Sequence, residues 1–178
     1  RTASLQDEIG DILKDSDEES SAGKDTFSKI VENCVILDLD QTLTLQELFR
    51  KAASKLSEEV QFEADQIYER LMDREETSST ALTSVFAVPH LVVPGEHKFA
   101  LLAVRSKPGV SFSMSAPKVH ATFFLAGTID ERSTHLLALA GIAQTVNEQD
   151  FLSKWVNAQN HQELRKIMLS SRQKKEAV

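Results

Sequence analysis

Arg74-Glu-Glu-Thr-Ser-Ser-Thr-Ala-Leu-Thr-Ser-Val-Phe-Ala-Val-Pro-His90 joins a polar, charge-ended turn to a short apolar run that stops at Pro89-His90. Val85, Phe86, Ala87 and Val88 make a continuous apolar run of strand length. Pro89 biases Val88 toward extended geometry and removes the next backbone donor. The run is expected to be a buried strand ending near His90, which delivers an imidazole to a sheet edge. An imidazole so placed is partly exposed, titrates near neutral pH and presents a ring nitrogen as nucleophile or proton carrier. A lone histidine in a loop is ordinarily solvated surface and nothing more, so its context decides.

Upstream, Cys34-Val35-Ile36-Leu37 is a strand candidate. Thr44-Leu-Gln-Glu47 is a capping-box pattern leading into Leu45, Leu48, Phe49, Ala52 and Leu56 at helical period. A second helix is expected from about Glu63 to Asp73, with Ile67 and Leu71, and Tyr68 and Met72, four residues apart. Downstream, Phe99 to Val104 and Val119 to Leu125 are apolar nearly throughout, as strands covered on two faces are. Between them Lys107-Pro108-Gly109 marks a turn, and Val110 to Met114 reads as a short strand. Ser133 or Thr134 is a natural N-cap for a helix through Leu136, Leu139 and Ile142, putting His135 in its first turn. Two helices follow, around Phe151 to Val156 and after Asn160. The expected fold is α/β: a three-layer sandwich with a mixed β-sheet of about four or five strands flanked by helices, in the order βααβ(ββ)βαα.

The 178 residues, 41% of them hydrophobic, suffice for one well-packed domain. Residues 1–26 are acidic and Ser-rich and read as a linker or tail. Within them Leu5, Ile9, Ile12 and Leu13 have the spacing of a short amphipathic helix. The domain is expected over 27–170, with a basic tail at 171–178. A net charge of −7 and a pI near 5.3 argue against a nucleic-acid or anionic-membrane surface. The single cysteine, Cys34, permits no internal disulfide or multi-cysteine zinc site and sits where packing is its expected role. No apolar segment reaches the roughly 18 to 20 residues that span a bilayer, and a soluble, cytoplasmic protein is expected. The leading Arg1 is consistent with a segment cut from a longer chain.

Arg74-Glu75, Ser79-Thr80, Ala87-Val88-Pro89-His90 and Thr134-His135-Leu136 together resemble the type-2 enzyme IIA domain of the bacterial phosphotransferase system, the fructose, mannitol and nitrogen-regulatory group. The likeness runs from about Phe27 to Leu169. It implies an enzyme IIA type-2-like fold in which His90 takes a phosphoryl group from an HPr-like phosphocarrier and hands it to a cysteine of a IIB-like domain. His135 and Arg74 would be the polar neighbours: a neutral His135 near a helix start donating an N–H to a phosphoryl oxygen, and Arg74 offering a fork of donors. In-line transfer of this kind needs positioning and charge stabilisation, with no metal or cofactor implied. His120 stands where family members more often have Asp; it either faces the site or is a packed or rim histidine. His97 and His161 read as solvated.

The chain departs from the family pattern at one place. Where the family usually reads Gly-x-Gly-x-Gly between the Ser-Thr and the Pro-His, this chain has Ala81-Leu82-Thr83-Ser84-Val85. The change is expected to stiffen the loop, and Leu82, Thr83 and Phe86 to add bulk where a partner approaches. That favours an alternative, a non-phosphorylated regulatory or interaction domain fused to or associated with a membrane transporter. A distant alternative rests on Asp38-Leu-Asp40-Gln-Thr42 after an apolar strand, similar to the first motif of Mg²⁺-dependent phosphatases of the haloacid-dehalogenase type. Asp38 and Asp40 otherwise read as turn and pre-helix residues.

Overall fold

A computed structural model describes residues 21–176. Seven helical segments and five strands follow the chain as α1 (Ser21–Asn33), β1 (Val35–Leu39), α2 (Leu45–Val60), α3 (Ala64–Thr77), β2 (Phe86–Ala87), β3 (His90–Val92), β4 (Phe99–Val110), β5 (Val119–Gly127), a 3-10 turn (Ile129–Glu131), α4 (Arg132–Val146), α5 (Phe151–Asn157) and α6 (His161–Glu176). The mixed sheet runs β1-β4-β5-β2, with β3 also on β5. β4 and β5 are antiparallel, while β1 joins β4 and the β2 and β3 segments join β5 in parallel. Among the described residues no helix is long and apolar enough to cross a membrane.

The period of two along the central strands divides the core. Ala100, Leu102, Val104, Phe124 and Ala126 pack with α2 and α3 on one face. Leu101, Ala103, Ala121, Phe123 and Leu125 pack with α1, α4, α5 and α6 on the other. This is the expected three-layer sandwich, and it explains why Phe99 to Val104 and Val119 to Leu125 read as nearly unbroken apolar runs: both faces are covered.

The first expected helix forms by the expected device. Thr44 Oγ1 accepts the Glu47 backbone N–H at 3.1 Å, and Glu47 Oε1 accepts the Thr44 N–H at 3.2 Å. α2 then buries Leu48, Phe49, Ala52, Ala53, Leu56 and Val60. α3 extends past the expected Asp73 to Thr77 and buries Ile67 and Leu71.

Four local expectations need correction. Residues 21–26, assigned by composition to the tail, belong to α1, because Phe27 and Val31 four residues apart are fully buried and draw the preceding turn into the helix. The proposed helix around Leu5 to Leu13 lies outside the described residues. Lys107-Pro108-Gly109 is a register shift inside β4, not a turn between strands, and Val110 ends β4 opposite Val119. Gly109 takes φ 83°, which its lack of a side chain allows. Residues 112–116 then turn back on a Phe112 N–H to Ala116 C=O bond of 2.9 Å, with Met114 fully exposed. At the other end, α6 carries the helix through Glu176, beyond the expected boundary at 170.

Gly141 lies within α4, where glycine costs about 1 kcal/mol against alanine. Here a Cβ would fall 2.3 Å from the Phe27 ring. Gly141→Ala is therefore expected to lower stability by about 1–3 kcal/mol despite its better helix propensity. Urea unfolding checks this, and Phe27→Leu in the same chain should recover part of the loss.

Candidate functional site

The chain does not end its edge strand at His90. Phe86 and Ala87 pair with Ala121 and Thr122, Pro89 breaks the ladder, and His90 opens β3 opposite Leu125. Pro89 lacks an N–H, but its carbonyl accepts the Leu125 N–H at 3.0 Å, so both halves stay on the same neighbour. An edge strand tolerates such a break, and the break turns His90 out at the sheet margin, half-buried.

Nδ1 of His90 lies 3.0 Å from the Val88 carbonyl oxygen. A carbonyl only accepts, so Nδ1 carries the proton and, in the neutral ring, the lone pair sits on Nε2. The imidazole of His135 stands beside it, ring centroids 5.4 Å apart at 67°. Phe99 closes the far side of His135 edge-on at 6.2 Å.

His135 comes from α4, whose start differs from the expected one. Ser133 and Thr134 are not caps; the 3-10 turn Ile129–Glu131 winds the helix up earlier, and Glu131 takes the N-cap position. Thr134 Oγ1 donates to Glu131 Oε2 at 2.8 Å. Burial pushes the His135 pKa down to about 4, and the neighbouring His90 and Arg132 add to the shift. His135 is thus neutral at physiological pH and can offer a ring N–H without bringing a positive charge.

This carries a sign for stability. Above the ordinary histidine pKa of 6.5 both folded and unfolded chains hold His135 neutral, so it contributes no pH dependence. Between 6.5 and about 4 the unfolded chain takes up a proton that the folded one refuses. Stability is expected to fall across that window by at most about 3 kcal/mol. Denaturation of the wild type and of His135→Gln at pH 7 and pH 4.5 reads the difference; the variant should lack this part of the loss.

Arg74 is half-buried on the last turn of α3, a helix packed against the opposite face from α4. Two hydrogen bonds tie this stretch of chain to the edge strand. Arg70 Nη1 donates to the Val92 carbonyl at 2.9 Å, and the Thr80 carbonyl accepts the Val88 N–H at 3.0 Å. Arg74 lies between these anchors in the chain. The structure therefore pairs the two imidazoles directly, while Arg74 belongs to a helix of the other layer.

Glu75 and Thr80 have a place here that the sequence did not assign. Thr80, 1% exposed, gives Glu75 Oε2 both its backbone N–H, at 3.1 Å, and its hydroxyl, at 2.5 Å. A signal existed: a carboxylate near a helix C-terminus is on the wrong end of the dipole and needs a local reason. His120 is not part of the site. Its Nδ1 is 3.0 Å from the Ser106 carbonyl, and it lies five residues along β5 from Leu125, about 17 Å.

The loop from Ala81 to Val85 closes without left-handed residues; the positive-φ residues described lie elsewhere. An Ala81–Ala87 bridge, a Leu82 N–H to Phe86 C=O bond of 2.8 Å and a Val85 N–H to Thr83 Oγ1 bond of 3.2 Å hold it. Phe86 does not bulk out the approach to His90 as expected. It is buried against Phe151, centroids 5.2 Å apart. Leu82 and Val85 also lean on that core, leaving Thr83 and Ser84 exposed.

Asp38 is a strand residue, not a turn. Its carboxylate takes two hydrogen bonds from the buried guanidinium of Arg105, at 2.7 and 2.5 Å. The nucleophile that a phosphatase reading requires is thereby held in a structural ion pair. Asp40 is exposed beside Lys107, 3.1 Å away. His97 is also exposed, its Nδ1 3.1 Å from Asp130.

A three-layer mixed α/β sandwich with a paired imidazole at an edge strand defines a recognisable class of domain. Residues 29–171 match the family described as "Phosphoenolpyruvate-dependent sugar phosphotransferase system, EIIA 2", and the chain belongs to that family. It is 33% identical over 111 residues to the nitrogen regulatory protein of Bradyrhizobium diazoefficiens, covering 62% of this chain and 70% of that one. It is 28% identical over 93 residues to the fructose-specific EIIABC component of Bacillus subtilis, covering 52% of this chain and only 15% of that longer protein. The fold is similar to that of nitrogen regulatory protein IIA-Ntr from Neisseria meningitidis, with TM-score 0.69, 22% identity, and 79% and 97% of the two chains covered. It is also similar to mannitol enzyme IIA of Escherichia coli in its complex with phosphorylated enzyme IIB, with TM-score 0.61, 17% identity, and 76% and 94% covered.

Proposed function

We propose that this IIA domain accepts a phosphoryl group on Nε2 of His90 and acts as a regulatory phosphoprotein in the cytoplasm, coupled to a membrane transporter. The donor is the phosphohistidine of an HPr-like carrier. The bond from phosphorus to the donor's ring nitrogen breaks as the bond to Nε2 forms; the donor ring, protonated on its other nitrogen, leaves as a neutral imidazole, and the positive charge passes to the His90 ring, whose Nδ1 proton stays hydrogen-bonded to the Val88 carbonyl. One observation carries the reading: the Val88 carbonyl fixes the proton on Nδ1 of His90, while a neutral His135 stands 5.4 Å away, ring to ring. Donor and acceptor are both imidazoles, so the transfer is close to balanced in energy and depends chiefly on alignment. His135 and Arg74 would stabilise the equatorial oxygens from the two sides of the edge strand. No metal or cofactor is part of this mechanism.

Incubation with phosphoenolpyruvate, enzyme I and an HPr-type protein should place one acid-labile phosphate on each chain. No labelling with a panel of HPr-type donors would overturn the reading.

The pinned, glycine-free loop supports a second reading, in which docking rather than phosphorylation is the working signal. A IIB-like domain or the transporter would then be the partner. Restoring flexibility at Ala81 and Thr83 tests it. Val85 is left alone because it packs against the core. If Ala81→Gly/Thr83→Gly raises the labelling rate by about tenfold or more, rigidity limits docking of the donor. Rapid stoichiometric labelling of the wild type, unimproved by the glycines, rejects the second reading.

A further inference from the structure

We propose that Glu75 is a positioning residue for His90, acting through Thr80 and Val88 to set which imidazole nitrogen carries the proton. This rests on the reading of His90 as the phosphoryl acceptor, but its central observable needs no phosphoryl donor.

The chain of bonds is continuous. The Glu75 carboxylate, on the last turns of α3, receives the backbone N–H and the hydroxyl of buried Thr80, and the Ser79 hydroxyl at 3.4 Å. The Thr80 carbonyl accepts the Val88 N–H at 3.0 Å and so ties the two ends of the 80–88 loop together. The Val88 carbonyl takes the Nδ1 proton of His90, also at 3.0 Å. From the other side the Leu125 N–H holds the Pro89 carbonyl. Val88-Pro89-His90 is thus fixed to the central sheet at one peptide and to α3 through the Glu75–Thr80 clamp at another.

Thr80 is where the clamp acts most strongly. It is buried, so without the carboxylate its N–H and hydroxyl lose their acceptor in a place water does not easily reach. The loop would rearrange to recover an acceptor, and Val88 moves with it. His90 then loses the carbonyl that holds its Nδ1 proton, and both tautomers become populated. The Nε2–H form has no lone pair at the attacking atom. A charge-assisted clamp on a helix also explains the placement of Glu75: its carboxylate tolerates the unfavourable end of α3 because it has two donors at Thr80.

The test is ¹⁵N histidine NMR on the whole chain near pH 8, alongside labelling kinetics. In the wild type, His90 should be predominantly Nδ1–H. Glu75→Ala should shift His90 toward a mixture of tautomers while leaving His120, which is held by Ser106 instead, unchanged. Glu75→Gln, which keeps one acceptor oxygen, should recover most of the wild-type pattern. The labelling turnover of Glu75→Ala should fall about tenfold to a hundredfold with little change in the donor KM, since misalignment by an ångström has effects of that size. A retained Nδ1–H tautomer and unchanged turnover in Glu75→Ala would overturn the proposal, as would a loss that Glu75→Gln does not recover. If Glu75→Ala fails to fold, Thr80→Val replaces it: a tautomer shift at His90 supports the clamp and an unshifted ring rejects it. If the wild type takes no phosphate, the acceptor reading falls, and the tautomer result still decides the role of Glu75.

Discussion

Asp38→Ala is expected to destabilise the domain by about 3–5 kcal/mol, among the largest effects of any single surface-adjacent substitution in the chain. Arg105 is 0% exposed, and its Nε and Nη2 donate to the two oxygens of Asp38. Its Nη1 donates to the carbonyls of Trp155 and Ala158, at 3.0 and 2.5 Å. One guanidinium thus joins β1, β4 and the corner between α5 and α6. Removing the carboxylate leaves a buried cation with two donors unmet, which costs far more than an exposed ion pair is worth. Replacing both partners is expected to be much milder. Asp38→Leu with Arg105→Met removes charge and partner together, and apolar replacements of buried pairs are often near neutral. The Trp155 and Ala158 carbonyls would still lose their donor, so a residual cost of about 1–2 kcal/mol is expected. Urea unfolding of the two single variants and the double variant gives the coupling energy directly. Near-additive losses would show that Arg105 draws its stability from the two carbonyls alone. Arg105's hydrogen bonds hold the Asp38 carboxyl below its usual pKa. Its stabilisation is therefore complete above the ordinary carboxylate range and fades as the pH falls through the lowered value, below the His135 window.

The sheet was legible because its signal is local. Phe99 to Val104 and Val119 to Leu125 are covered on both faces, so nearly every residue is apolar and little phase has to be guessed. The capping box at Thr44 and the turn of chain at Pro89 were equally local. What escaped lies in pairings across the chain. Asp38 and Arg105 are 67 residues apart, and no pattern around Asp-Leu-Asp announces that its first carboxylate meets a buried arginine. The loss of strand continuity at Pro89 was legible, but its resumption at His90 was not, because β3 gets its order from β5 instead of from its own three residues. The same holds at α4: Ser133 and Thr134 are good caps by type, yet the 3-10 turn before them supplies the nucleus. Of the site, His90 and His135 could be paired only through a family resemblance, since 45 positions separate them. The direction of Phe86 was misjudged because an aromatic at the start of a short edge strand reads alike whether it faces a partner or Phe151.

On the reading of His90 as acceptor, His90→Ala should take up no phosphate, while His135→Ala should still be labelled, but about 10²–10³-fold more slowly. The two imidazoles touch edge to face, and their consequences differ because their chemistry differs. His90 would form the covalent bond, so nothing else at the edge strand replaces it. His135 would only donate to oxygens that gather charge in the transition state, and loss of one preorganised donor of that kind has an effect of this order. Its low pKa sharpens the expectation. A cationic residue at the same place would attract the incoming phosphoryl group but would also hold the product in place. A neutral donor discriminates the transition state without trapping phosphohistidine. His135→Lys should therefore speed labelling relative to His135→Ala yet slow the onward transfer to a IIB-type acceptor. Rates of both half-reactions, measured with the same preparation by acid-labile ³²P, separate these effects. Equal rates in wild type and His135→Ala would remove His135 from the chemistry and leave it as packing beneath the edge strand. Label persisting in His90→Ala would move the acceptor elsewhere on the chain.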